Sequence, residues 1–215
     1  MKKVIITLIS FFCAFITNSQ CFVDTAKLNQ SFIDLNNFPV TYEREKAFFD
    51  AFPSSWMEFV LTYQYYPNKS FELDYINHIE LFKNLKLIPD SMYCDKLIFL
   101  SVGGKWEADA TGALQNVLHT KMNNKTEVFF SRLARLHRGF QLRFWQFFWS
   151  SITHSEDNLK RIRNDYVNEC ELIKNKMGKK YPDEVKTMET AFSFALGEIT
   201  FSTIENNFPH KYFVK

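Results

Sequence analysis

The chain has 215 residues, 26 Lys and Arg against 24 Asp and Glu, 46% apolar and 17% aromatic residues, and only six Gly and six Pro. That length suits one domain with a sizeable core, and so few chain breakers favour long helices over a many-stranded sheet. Setting aside Lys2 and Lys3, which precede every acid, lowers the 26 cations to 24, equal to the 24 acids. A formally neutral body is a poor ligand for nucleic acid, whose binding comes mainly from neutralising phosphates, so no nucleic-acid partner is expected.

Met1-Lys2-Lys3, the apolar run Val4 to Ile16 and the polar Thr17-Asn18-Ser19-Gln20 have the order of a secretory signal peptide. The run falls short of the ~20 apolar residues that span a bilayer, and no second candidate follows. Residues 1–20 are therefore expected to be cleaved. Residues 21–215 are expected to form one helical domain in the periplasm or outside the cell, with no transmembrane segment. Cys21, at the junction, is where a lipid anchor would be attached, although Asn18-Ser19-Gln20 departs from the lipobox pattern.

In chain order, Leu28, Phe32 and Leu35 mark a first helix that ends before Pro39, and Thr41 can cap a second that ends at Pro53. Ser55-Trp56-Met57-Glu58 has the form of a capping box and opens a third helix, closed by Pro67. Phe71, Tyr75, Ile79, Phe82 and Leu85 share one face of a fourth. Asp90-Ser91 opens a fifth that ends at Gly103-Gly104. Its Leu97 to Val102 also suits a strand, but no partner strand is visible, so helix is preferred.

Trp106 to Ala110 reads as a loop and Thr111 to Met122 as a helix. Thr126 to Ile152 then reads as one unbroken central helix. It places Phe129, Leu133, Leu136, Phe140, Phe144 and Phe147 in one apolar row, with His137 on the apolar side. The opposite side carries Arg132, Arg135, Arg138, Arg143 and Gln146, interrupted by Leu142 and Trp149. That segment holds no acid from Val128 to Ser155, so the arginines must find counter-charges on other helices, on a partner or in solvent. His154 to Asp157 caps the next helix, which Gly178 ends, and Pro182 opens the last. The expected fold is all-α, a compact domain of about seven or eight helices.

Few residues suggest chemistry. No two of the five histidines are three or four apart, and HExxH, paired cysteine, GxSxG, P-loop and GxGxxG motifs are missing, so no metal or cofactor is expected. Cys94 and Cys170 are either joined in an oxidising compartment or left as buried thiols. Glu107 and Asp109 are the two carboxylates an envelope hydrolase would need, provided the fold brings a histidine to them. Arginine and tryptophan are enriched where interface energy concentrates. Arg135, Arg138 and Trp149, with Trp106, Glu107 and Asp109, are therefore the candidate contacts for a protein partner.

Tyr93-Cys94-Asp95-Lys96-Leu97-Ile98, followed by Gly103-Gly104-Lys105-Trp106-Glu107-Ala108-Asp109, together with the leader and the neutral helical body, resembles small exported bacterial helical proteins encoded beside secreted toxins. Among these the layout is similar to periplasmic immunity proteins of type VI secretion effectors. The resemblance implies a non-enzymatic protein that binds and neutralises a cognate toxin. An envelope hydrolase and a lipid-anchored scaffold are the alternatives.

Overall fold

A computed structural model describes residues 23–63, 75–105, 109–151 and 159–198, with 109 and 159–163 described by their backbone alone. The leader, Cys21, Trp106, Glu107 and the cap at 154–157 lie outside the described residues. Among those described, nine helices and no strand are present: α1 Thr25–Asn37, α2 Tyr42–Ala51, α3 Trp56–Tyr63, α4 Tyr75–Asn84, α5 Asp90–Ser101, α6 Asp109–Leu133, α7 Arg138–Phe148, α8 Leu159–Met177 and α9 Pro182–Ala195. No helix among them is long and apolar enough to cross a membrane.

Side-chain caps hold the helix ends, those at Thr41 and Ser55 where the sequence placed them and a further one at Asp24. Asp24 Oδ1 accepts from Lys27 N at 3.0 Å, and Thr41 Oγ1 from Arg44 N at 3.4 Å. Ser55 Oγ accepts from Glu58 N at 3.2 Å while the Glu58 carboxylate reaches back to Ser54 N at 2.6 Å, one residue short of an ideal reciprocal box. The segment Leu97 to Ser101 is helical, and Gly103 ends α5 with φ of 82°, a conformation that side chains with a Cβ avoid. Gly104 lies against the Phe147 ring so closely that a Cβ there would collide with it.

The structure revises the central helix. The helical stretch Asp109–Leu133 begins inside the expected loop and is two helices joined across a kink at Lys125 (φ −130°, ψ 31°), so the expected separation between Met122 and Thr126 is present as that kink. The chain then leaves the helix between Leu133 and Arg138 and starts α7 afresh. His137 is not a core histidine: it is exposed and caps α7, its Nδ1 accepting from Gly139 N at 3.3 Å. Gln141 secures the corner from the other side, donating through Nε2 to Leu133 O and Leu136 O, both at 3.0 Å. These bonds satisfy carbonyls that a helix end would otherwise leave without partners.

The break shifts the phase of everything beyond it. Phe129 and Leu133 are buried as expected, but Phe140 is 46% exposed, while Leu142 and Trp149, expected on the arginine side, are 0% exposed. Phe144, Trp145, Phe147, Phe148 and Trp149 fill the centre of the molecule, with Trp145 and Trp149 stacked at 6.2 Å and Trp149 edge-on to Phe192 of α9 at 4.9 Å. One continuous core extends from Leu28 in α1 to Phe192 in α9, so the described helices form one domain.

Candidate functional site

The sequence-predicted contact residues do not form one surface. Trp149 belongs to the core and is out of reach of any partner. Its Nε1, like that of Trp145, finds no acceptor among the described residues. Arg138 is half-buried and donates through Nε to Thr187 Oγ1 at 3.2 Å, tying α7 to α9. Arg135 is exposed at the corner between α6 and α7. Asp109 is placed only as the first residue of α6, and Trp106 and Glu107 lie outside the described residues. Arg132 finds its counter-charge on another helix, a two-pronged bond to the Asp95 carboxylate of α5, with Nε to Oδ1 at 2.6 Å and Nη2 to Oδ2.

Cys94 and Cys170 are free thiols, each buried on its own helix, so of the two readings the structure contains separate thiols rather than a bridge. Burial pushes both up to about 12, with Asp90 and Asp95 adding to the effect at Cys94, and Glu189 and Glu171 at Cys170. Thiols so raised are poor nucleophiles and metal ligands. Among the described residues no group of three His, Cys, Asp or Glu is placed to hold a metal ion.

His119 occupies the densest polar cluster, and its geometry gives it a structural task. Its Nε2 contacts Phe148 O at 3.1 Å and its Nδ1 both oxygens of Glu169 at 3.0 Å. A carbonyl can only accept, so Nε2 is the donor to Phe148 O, and Nδ1 faces the carboxylate. Gln115, four residues earlier on α6, donates through Nε2 to Phe147 O at 2.9 Å and Ser150 Oγ at 2.7 Å. The pair thus closes the carbonyl end of α7, where backbone acceptors lack helical partners. Both ring nitrogens of His119 are engaged by these contacts.

Another surface feature was not singled out by the sequence. An open trough of about 590 Å³ lies between α1 and α4, which meet where the Phe32 ring touches His78 at 4.5 Å. Its floor is Phe32 and Leu81, and its walls carry the exposed Asn36, Asn37, Asn77 and Asn84 with the carboxylate of Glu80. Asn36 gives one N–H to Phe32 O at 2.9 Å and Asn84 one to Glu80 Oε1 at 3.0 Å. Their remaining amide atoms, and the amides of Asn37 and Asn77, make a row of paired donors and acceptors. Ile33 and Ile76 stand exposed beside it, and past the end of α1 the chain exposes Phe38, Val40 and Tyr42.

The trough thus presents amides over an apolar floor, an arrangement suited to holding a ligand. The signal in the sequence was faint: four asparagines on the polar faces of two helices, whose closeness is a property of the fold. No family model, curated protein or solved structure matches the chain.

Proposed function

We propose that the protein is an exported, non-enzymatic binding protein of the bacterial envelope, one that captures a secreted toxin in the manner of an immunity protein. The α1–α4 trough is the observation that carries this reading. A primary amide presents one donor and one acceptor edge, the complement of a peptide unit, so an asparagine row over apolar ground suits an extended segment of a partner protein. The exposed apolar residues Ile33, Phe38, Val40, Tyr42 and Ile76 beside the trough supply the desolvated contacts that anchor such interfaces. Export rests on the leader at residues 1–20. The docking site proposed here lies on α1 and α4, in place of the strip of arginine and tryptophan that the sequence suggested.

The test is site-specific photo-crosslinking in cells that express the protein with the toxin encoded beside it. A crosslinker at Asn77 is expected to trap the toxin, one at the exposed Leu172 on α8 to trap none, and Asn36→Arg with Asn84→Arg to abolish both the adduct and protection of growth. An adduct at Leu172 equal to that at Asn77, or protection unchanged in the double variant, overturns this siting. Amino-terminal sequencing of the mature protein checks export, which predicts a start near Cys21.

A further inference from the structure

A second, smaller cavity lies on another part of the molecule, between the loop after α4, the first turns of α5 and the middle of α6. It encloses about 40 Å³ and is lined by Lys86, Lys121 and Lys125, by Asp90, and by a floor that includes the buried Tyr93 and Cys94. A water-sized atom occupies roughly 10–15 Å³ on this measure, so the space holds three or four oxygens.

The cavity has more positive than negative charge to satisfy. Asp90 is paired with Lys125 at 2.8 Å. Of the other acids nearby, Asp95 is held by Arg132, and Glu45 is buried and already accepts from Lys86 N at 3.0 and 2.9 Å and from Leu87 N at 2.7 Å. Lys121 lies over the Tyr93 ring at 4.4 Å, and among the described residues neither it nor the Lys86 ammonium is within ion-pairing distance of a carboxylate. Burial lowers the pKa of Lys121, with Lys125 adding to the effect while Asp90, Cys94 and Glu45 oppose it. A partly desolvated ammonium in contact with a ring face and no carboxylate gains most from an anion brought in from outside.

We propose that Lys86, Lys121 and Lys125 bind a tetrahedral oxyanion, of the size and charge of phosphate or sulfate, over the floor made by Tyr93 and Cys94. Lys121 is the innermost donor, and Lys86 and Lys125 close over the anion from the exposed rim. The four oxygens match the volume, and the ammonium groups act as point charges that tolerate either ion.

Thermal unfolding of the full mature chain in increasing inorganic phosphate, with sodium chloride matched for ionic strength, tests this. Phosphate and sulfate are expected to raise the midpoint saturably, by about 4 °C at roughly twenty times the dissociation constant. Chloride and acetate are expected to give no saturable rise. Lys121→Gln is expected to remove the response, and Lys86→Gln, at an exposed position that leaves folding intact, to weaken phosphate binding several-fold. The proposal is overturned by an equal shift in chloride, by saturation with acetate alone, by no shift with phosphate, or by a response that Lys86→Gln leaves unchanged.

Discussion

Lys96 offers the sharpest quantitative consequence of the fold. Its ammonium is buried against α2, donating to Phe49 O and lying 4.5 Å from the centre of the Phe49 ring. Burial pulls it down from 10.5 to about 8, against the opposing pull of Asp50 and Glu58. A lysine whose folded value is depressed binds fewer protons in the folded chain than in the unfolded one between the two values, so its contribution to stability rises with pH across that window, from about 8 to 10.5. At ~1.4 kcal/mol per unit, the charged form at pH 7 costs on the order of 3 kcal/mol relative to the neutral form, and most of this is recovered by pH 10.

The wild type alone does not isolate this effect, because the buried thiols act in the opposite sense. Cys94 and Cys170, raised to about 12, keep their protons in the folded chain while the unfolded chain loses them from about 9 upward. Each therefore removes on the order of 1 kcal/mol between pH 7 and 10. Lys96→Met cancels those contributions, since both proteins share them. Urea unfolding at the two pH values is expected to show wild type gaining roughly 2–3 kcal/mol on the variant as pH rises from 7 to 10. A difference between the two proteins that stays constant within ~0.5 kcal/mol would refute the burial of a charged Lys96.

Three other substitutions probe the junctions around α7. Gly104→Ala forces a Cβ into the Phe147 ring and is expected to cost about 1–3 kcal/mol in urea unfolding, whereas Gly103→Ala costs about 1 kcal/mol, from its positive φ alone. His119→Ala leaves Phe148 O and the Glu169 carboxylate without their shared partner. It is expected to cost about 1.5–3 kcal/mol, and a double-mutant cycle with Glu169→Gln should show at least ~0.5 kcal/mol of coupling.

Most of the secondary structure was legible because helix starts, stops and apolar spacings agreed with one another. Thr41 and Ser55 cap where their side-chain oxygens suggest, Gly103 and Gly178 stop helices, and Pro182 opens α9. The corner at 134–137 was not legible because Ala134-Arg135-Leu136-His137 contains no Gly or Pro, and the apolar spacing from Phe129 to Phe147 continues through it without a gap. The bonds that make the corner, Gln141 to Leu133 O and His137 to Gly139 N, exist only once the chain has turned. His137 followed two residues later by Gly139 was the one local hint, a capping side chain ahead of a glycine inside an apparently helical run.

The same misplaced phase accounts for the fate of the candidate site. With the helix taken as continuous, Leu142 and Trp149 fell among the arginines and looked like interface anchors. With the turn in place they are core, and Arg132 and Arg138 are occupied by Asp95 and Thr187. The α1–α4 trough was hidden for a different reason: asparagines on a polar helix face look like ordinary solvated positions until the second helix is beside them.

Every assignment of side chains to core or surface beyond residue 133 depends on that corner, and alanine substitution on either side of α7 measures it directly. Leu142→Ala and Trp149→Ala are expected to cost about 2–5 and 3–5 kcal/mol in urea unfolding, and Phe140→Ala, at a half-exposed position, no more than about 1 kcal/mol. An uninterrupted helix demands the reverse order. A large loss at Phe140 with near-neutral changes at Leu142 and Trp149 would contradict the fold and return the tryptophan to the surface.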